Sequence, residues 1–582
     1  MATLQSDRGN WVGLWALMTS IPCFYLYKGI RNRLDRMNAL LSKARTQHQS
    51  VNIALLNSAT WPAIDPAKAV KITTATLCEL VAMRDAGEVS CEEIVVAFVR
   101  NVRRIGMAYN AIAYEHIQEA LTAARKCDLL IANKGSYGPL LGIPFSVKDC
   151  ICTKDSPFTY GCASMANNTQ FDDAVVIKVL KEAGAIVMLK GSMHMLGAQA
   201  ETENRIVGRC LNPWNITRTP GGSSGGDAVL VSTRCVPFST GSDVGGSVRY
   251  PAAYCGLYTL KPTGQRLSSM APIIKSGFPP LFTSWGFMTR AVEDLALLFS
   301  LEFSQTQFSA DPLVPPIHWK EDRYTSTNKL KIGYVLDNDF WPVADACKRA
   351  VTDTVTALQN KGHELVPFDL FDLKEVMALC WKVMMSSKDG PLRLKEEVPL
   401  WSFRHIAWRR LMPTWFVAGC YYGNRQGKEW MMWKALYETS LQDMVQSNIE
   451  AETLKNKYYQ AIQTQGLDAL IVPYPFPAFQ HSSSPNNNYS VAWTILFNLL
   501  DMPVGSVPVG KVRQNEQFYN KGEDQYVKST AEVMAGSVGL PLAVQVVTKR
   551  YQDELCLNVM RQIAEELPFK EAPPEVEALL RT

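Results

Sequence analysis

The chain has 582 residues, 47% of them hydrophobic and 20% charged, enough apolar material to bury a large core. Lys and Arg number 59 against 55 Asp and Glu, a balance that argues against nucleic acid as a partner. Fourteen cysteines lie scattered with no CxxC pair, and the seven histidines form no HExxH pattern, so buried thiols are expected rather than disulfides or a zinc site.

Residues 11–27, WVGLWALMTSIPCFYLY, carry no charge and have aromatic side chains near both ends. A bilayer needs roughly 17 or more apolar residues, so this stretch is expected to be a transmembrane helix, residues 1–30 forming an N-terminal anchor. Lys28, Arg31, Arg33 and Arg36 follow it and only Arg8 precedes it, which puts the body of the chain on the cytoplasmic side. The rivals are a cleaved signal peptide, for which the basic cluster is on the wrong side, and a peripheral amphipathic helix. Residues 31–72 read as a connector in which Leu34, Met37, Leu40 and Leu41 recur at helical spacing among basic residues. That pattern suits a helix near a membrane surface and equally an ordinary packed helix.

A helical pattern runs from Thr73 to Gly106, with Ser90-Cys91-Glu92-Glu93 marking a helix start by capping-box spacing. In GPLLGIPFSVKD, Lys148 ends the apolar run Ile143–Val147, which draws it inward, and burial lowers a lysine pKa. Residues 171–200 read helix, strand (AGAIVMLKG), then a loop containing Met193, His194, Met195, Leu196 and Gly197. Thioethers adapt to flexible apolar ligands. His194 is the one histidine near the next motif that could support a Ser–His pair, with a packed or pocket-lining role the expected one.

Two Gly-Ser clusters follow, GGSSGG at 221–226 and GSDVGGS at 241–247. Glycines permit tight turns, and a serine on such a turn can sit among backbone N–H groups aimed at one point, the construction of an oxyanion hole. Flexible linkers would read similarly, but linkers are not followed by apolar runs.

Residues 305–328 are polar and proline-dotted, a crossover loop. Strand 330–335, helix 344–361 and strand HELVPFDL then alternate as in a layered α/β sheet. In 401–437, Trp401, Trp408, Trp415, Trp430 and Trp433 interleave with Arg404, Arg409, Arg410, Arg425 and Lys428, an interfacial composition for which internal packing or a dimer surface is the alternative. Residues 511–530 read as a polar loop, and the chain ends with strand LAVQVVT and a helix to Leu567.

The block TPGGSSGGD…GSDVGGSVRYPAAYCGLYTLKPT, with GIPFSVKD upstream and GLPLAVQ downstream, resembles the amidase signature family over roughly residues 75–565. The resemblance implies an α/β/α layered fold with a large central mixed, twisted sheet flanked by helices, the catalytic domain spanning 73–582. It implies a triad in which Ser247 is the nucleophile, Ser223 a bridging serine in a cis peptide and Lys148 the general base. The N–H groups of Val244, Gly245, Gly246 and Ser247 would form the oxyanion hole, supported by Ser224, Asp243 and Arg249. Met193, Met195, Leu196, Gly197, Thr494 and Phe497 are the implied substrate-binding residues, with Ile495 and Asn498 beside them. No metal or cofactor is implied.

Where soluble members carry an acidic residue after the AGAIVMLKG strand, this chain has Ser192–Gly197. That departure, the anchor and the Trp/Arg segment resemble the membrane-bound members of the family. They imply cleavage of long-chain fatty-acid primary amides and N-acylethanolamines, a membrane cap at 401–437, a homodimer, and a single-pass location in an endomembrane such as the endoplasmic reticulum. The alternatives are a tethered amidase for small or peptide amides and, in another class, an inactive lipid-binding scaffold, against which the intact Lys148, Ser223 and Ser247 stand.

Overall fold

The computed structural model describes residues 31–32, 35–49, 62–270, 281, 283–386, 441–519 and 521–580. The anchor at 11–27 and the Trp/Arg segment 401–437 lie outside the described residues. Among the described residues no helix is long and apolar enough to cross a membrane.

Thirteen strands are described: β1 (Ile112–Glu115), β2 (Pro144–Lys148), β3 (Ile186–Gly191), β4 (Glu203–Asn204), β5 (Gly208–Arg209), β6 (Ser239–Asp243), β7 (Tyr258–Lys261), β8 (Ser284–Thr289), β9 (Lys331–Tyr334), β10 (Glu364–Pro367), β11 (Ala469–Pro473), β12 (Val504–Lys511) and β13 (Pro541–Thr548). Eleven form one sheet in the order β1-β3-β2-β6-β8-β7-β12-β13-β11-β9-β10, and β4 and β5 make a separate ribbon. The sheet is mixed: β3, β2 and β6 are mutually parallel, as are β11, β9 and β10, and antiparallel pairs join the two groups.

Helices cover both faces of this sheet, and the strand alternation shows how. A Cβ on Gly505 would lie 2.0 Å from Met560 Sδ, so this face of β12 packs on helix Asp553–Glu566. The next residue, Ser506, pairs with Gln545, which donates to the Trp493 carbonyl at 2.9 Å and accepts from Arg249 at 3.1 Å. Helices Arg249–Cys255 and Ala492–Leu499 therefore lie on the opposite face.

Several expected elements are refined. The 73–106 pattern is two helices, Leu77–Asp85 and Cys91–Arg104, each opened by a complete capping box (Thr76 with Glu79, Ser90 with Glu93). Gly87, at φ +71°, turns the chain between them. The expected loop 305–328 contains helices Gln305–Ala310 and Glu321–Tyr324, because Phe308 and Tyr324 are buried rather than solvated. The polar stretch 511–530 likewise yields to helix Gln525–Met534, capped by Asp524 and holding Tyr526, Val533 and Met534 in the core. Helix 35–49 packs on the body: Ala44 and Leu41 meet Ala163, Ala166 and Ile206, and Arg45 Nε donates to the Arg205 carbonyl at 2.9 Å. The twelve described cysteines are all free thiols.

Candidate active site

The three parallel strands β3, β2 and β6 end together, and in such sheets ligands bind beyond the carboxyl ends of the strands. Lys148 is the last residue of β2, Gly191 of β3 and Asp243 of β6. Each strand end feeds a glycine-rich or irregular turn, so backbone and side chains converge there.

Lys148 is wholly buried, and its Nζ lies 2.8 Å from Ser223 Oγ and 2.8 Å from Ser242 Oγ. Burial is the first cause of a pKa held below the ordinary 10.5 of lysine, opposed by the carboxylates of Asp227 and Asp243. A lysine in that state is a proton acceptor rather than a fixed cation. Ser223 follows Gly222 through a cis peptide bond and is itself buried. Its carbonyl accepts from the His194 N–H at 3.2 Å, which ties the Met193–Gly197 loop to the serine.

Ser247 stands on the turn between β6 and helix Arg249–Cys255, half-buried. The Ser224 N–H donates to the Ser247 carbonyl at 3.2 Å, which holds the two glycine-serine clusters together. The turn is fixed from behind. Asp243 and Arg249, both fully buried, pair through Nη2–Oδ1 at 3.0 Å and Nε–Oδ2 at 3.1 Å. Arg249 also donates to the Thr494 carbonyl at 3.0 Å, and Asn498 donates to Asp243 Oδ1 at 3.0 Å. Burial works against ionisation of Asp243, but the Arg249 charge and hydrogen bonds win and hold the carboxyl well below the usual range.

The expected four-membered oxyanion hole needs correction. The Gly246 N–H donates to Asp243 Oδ1 at 2.8 Å, so it braces the turn instead of facing a substrate oxygen. The N–H groups of Val244, Gly245 and Ser247 are what remains of the expectation. Thr494, expected in the pocket, is fully buried with its hydroxyl donated to the Gly245 carbonyl. Ile495 is the side chain that a Cβ on Gly245 would meet, at 3.3 Å. Phe497 lies in the hydrophobic core. The other expected pocket residues sit close to the serine: Met193 is buried and Met195, Leu196 and Gly197 are half-buried, Leu196 and Gly197 at positive φ. A Cβ on Gly197 would come within 3.3 Å of Ser223 Oγ. His194 is kept neutral by burial, its pKa lowered to about 4.

Three buried or half-buried polar residues at these strand ends were not singled out from the sequence: Ser242, the second hydroxyl on Lys148; Lys190 on β3; and Asp227 on helix Gly225–Ser232. An acid directly after GGSSGG, opening the apolar run Ala228–Val231, was the available signal for Asp227. Among the described residues no group of His, Cys, Asp and Glu is arranged to hold a metal ion.

These features are those of an amide hydrolase. The family model for Amidase matches residues 93–557, and the chain belongs to that family. It is 29% identical over 516 residues to fatty-acid amide hydrolase 1 of Sus scrofa, covering 84% of this chain and 85% of that one. It is 30% identical over 514 residues to an acetamidase of Emericella nidulans, covering 85% and 89%. Among solved structures it is similar to a fatty acid amide hydrolase (TM-score 0.74, 22% identity, 94% and 96% covered). A peptide amidase from Stenotrophomonas maltophilia also matches it (TM-score 0.65, 21% identity, 86% and 98% covered).

Proposed function

We propose that this enzyme hydrolyses long-chain fatty-acid amides and N-acylethanolamines through Ser247, Ser223 and Lys148. The observation that carries the chemistry is the 2.8 Å contact between a buried, pKa-depressed Lys148 and Ser223 Oγ. In this mechanism Ser247 Oγ attacks the amide carbon as its proton passes to Ser223, whose own proton passes to Lys148. The tetrahedral oxyanion is met by N–H groups of the Val244–Ser247 turn. On collapse the C–N bond breaks, the proton returns through Ser223 to the departing nitrogen, and an acyl ester remains on Ser247. Water then attacks the ester, its proton passing through Ser223 to Lys148, and that proton returns through Ser223 to Ser247 Oγ as the C–O bond breaks and the fatty acid leaves.

The lipid substrate is supported by the Met193–Gly197 loop beside Ser223 and by the relatives named for fatty-acid amides. Attachment to an endomembrane through residues 11–27, with the body cytoplasmic and 401–437 dipping into the headgroups, belongs to the same reading and rests on their composition. A homodimer is carried by the resemblance alone. The second reading, small amides, is favoured by the equally high identity to the acetamidase. Detergent-solubilised full-length protein and its Ser247→Ala variant, assayed on oleamide against a short-chain amide, separate the two. A large kcat/KM advantage for oleamide that vanishes in the variant supports the lipid reading; equal or reversed rates overturn it.

A further inference from the structure

Ser146 and Lys148 are two residues apart on β2 and share one face of the sheet. In the parallel pairing of β2 with β3, Lys148 stands opposite Gly191 and Val147 opposite Lys190. Opposed residues on neighbouring strands, about 4.8 Å apart, project to the same side. The side-chain position next to Lys148 therefore belongs to residue 191, a glycine. That position is filled from elsewhere: a Cβ on Gly191 would fall 2.2 Å from Asp227 Oδ2 and 2.4 Å from Oδ1. Asp227 arrives from the first turn of helix Gly225–Ser232, the helix that begins just after Ser223 and Ser224, and is wholly buried. Its Oδ1 accepts from Ser146 Oγ at 2.8 Å, and its Oδ2 has no hydrogen-bond partner.

We propose that Asp227 is a positioning residue for catalysis, the counter-charge that stabilises the ammonium form of Lys148 while the lysine holds the proton taken from Ser247 through Ser223. The inference rests on Lys148 being the base. No proton is gained or lost overall: Lys148 accepts one during attack and returns it to the leaving nitrogen, and Asp227 acts in its carboxylate form without exchanging a proton with the reactants.

The other ionisable groups around the pair are committed or neutral. Asp149 lies 4.0 Å from Lys190 and accepts from the hydroxyl of Thr159. Lys190 donates to the carbonyls of Pro157 at 2.8 Å and Ile151 at 3.2 Å. Asp243 is held by Arg249. Burial keeps His194 unprotonated and pushes the Cys150 and Cys210 thiols up, so these carry no charge near neutrality. Burial also pushes the Asp227 carboxyl up to about 7, against the hydrogen bond from Ser146 and the charges of Lys148 and Lys190, so its charge responds to that of Lys148.

The test is the pH profile of kcat and kcat/KM for the wild type, Asp227→Asn and Ser146→Ala. Without the carboxylate the ammonium of Lys148 is disfavoured, so Asp227→Asn should move the acid limb to lower pH and reduce the plateau kcat about 10–100-fold, with KM little changed. Ser146→Ala removes only the hydrogen bond that favours the Asp227 carboxylate, and should move the limb the same way by less. It serves as the decisive variant if Asp227→Asn does not fold. A uniform loss of activity with the limb unmoved overturns the inference and makes Asp227 structural. A wild-type profile with no acid limb overturns the assignment of Lys148 itself.

Discussion

Asp243 and Arg249 form a two-point ion pair with no exposure to solvent, and the same carboxylate takes the N–H of Gly246 from the turn that carries Ser247. The nucleophile's backbone is thus braced by a charge pair. Removing one partner of a buried pair leaves an uncompensated charge and typically costs about 3–5 kcal/mol. Arg249→Ala is expected to lower the thermal midpoint and to abolish labelling of Ser247 by a fluorophosphonate; a variant that keeps both midpoint and labelling would contradict this role.

The same pair makes stability depend on acid. The folded Asp243 carboxyl is held below its ordinary value of 3.8, first by the Arg249 charge once its burial is overcome. Its contribution is therefore complete above about pH 4 and is lost as the pH falls through the folded value. Asp243→Asn should be less stable than the wild type at pH 7, with the gap closing on acidification. Denaturant unfolding at pH 7 and pH 3 measures both, and a gap that stays constant refutes the linkage.

Lys148 gives activity a slope of the same sign, at higher pH. Only the free amine accepts a proton, and burial holds its pKa below 10.5, so kcat should rise with pH through a midpoint lower than that value. Lys148→Ala should lose this limb along with roughly 10²–10⁴-fold in kcat, the usual scale for a general base. A profile flat from about pH 5 to 10 in the wild type, with chemistry rate-limiting, would remove Lys148 from the mechanism.

Gly246→Ala tests the turn itself. Gly246 has φ +123°, and a Cβ there would approach Thr494 Oγ1 at 2.7 Å and Tyr250 Cδ2 at 2.9 Å. The neighbouring N–H groups would be displaced, and losing one oxyanion donor costs about 10²–10³-fold in kcat. The expected result is that loss with KM nearly unchanged; a tenfold or greater rise in KM at constant kcat would mean that the turn binds ground-state substrate instead.

Gly197→Ala probes the loop over Ser223. The glycine is at φ +65°, and the added methyl would lie 3.3 Å from Ser223 Oγ. Acylation, followed by the burst phase with an activated ester, should slow by about tenfold while overall stability falls by about 1–2 kcal/mol, the usual cost of a side chain at positive φ. Unchanged acylation would show that the loop yields without touching the serine.

Much of this arrangement was legible in the sequence because it is local. Lys148 ends an apolar run, Ser223 and Ser247 follow paired glycines, and the capping box at Ser90 announces its helix within four residues. What escaped depends on distant partners. Asp227 owes its place to the missing side chain of Gly191 on another strand, and Gly246 lost its role in the hole because Asp243 points back at its N–H. Thr494 sits at the site, but its hydroxyl is spent on the Gly245 carbonyl, a contact across 249 residues that no spacing rule anticipates. Helix Gln525–Met534 escaped for a related reason: of its five buried residues, Tyr526, Ser529, Thr530, Val533 and Met534, two are polar, so no continuous apolar stripe marks the face that packs on the core.

Helix 35–49 rests on Ala163, Ala166 and Ile206, and the adjoining Gly161 and Tyr160 touch the loop that overlies Ser223 through Met195 and Leu196. Helix 35–49 is therefore joined to the loop beside the serine through two layers of contact, so a change on its buried face can be felt at Ser223.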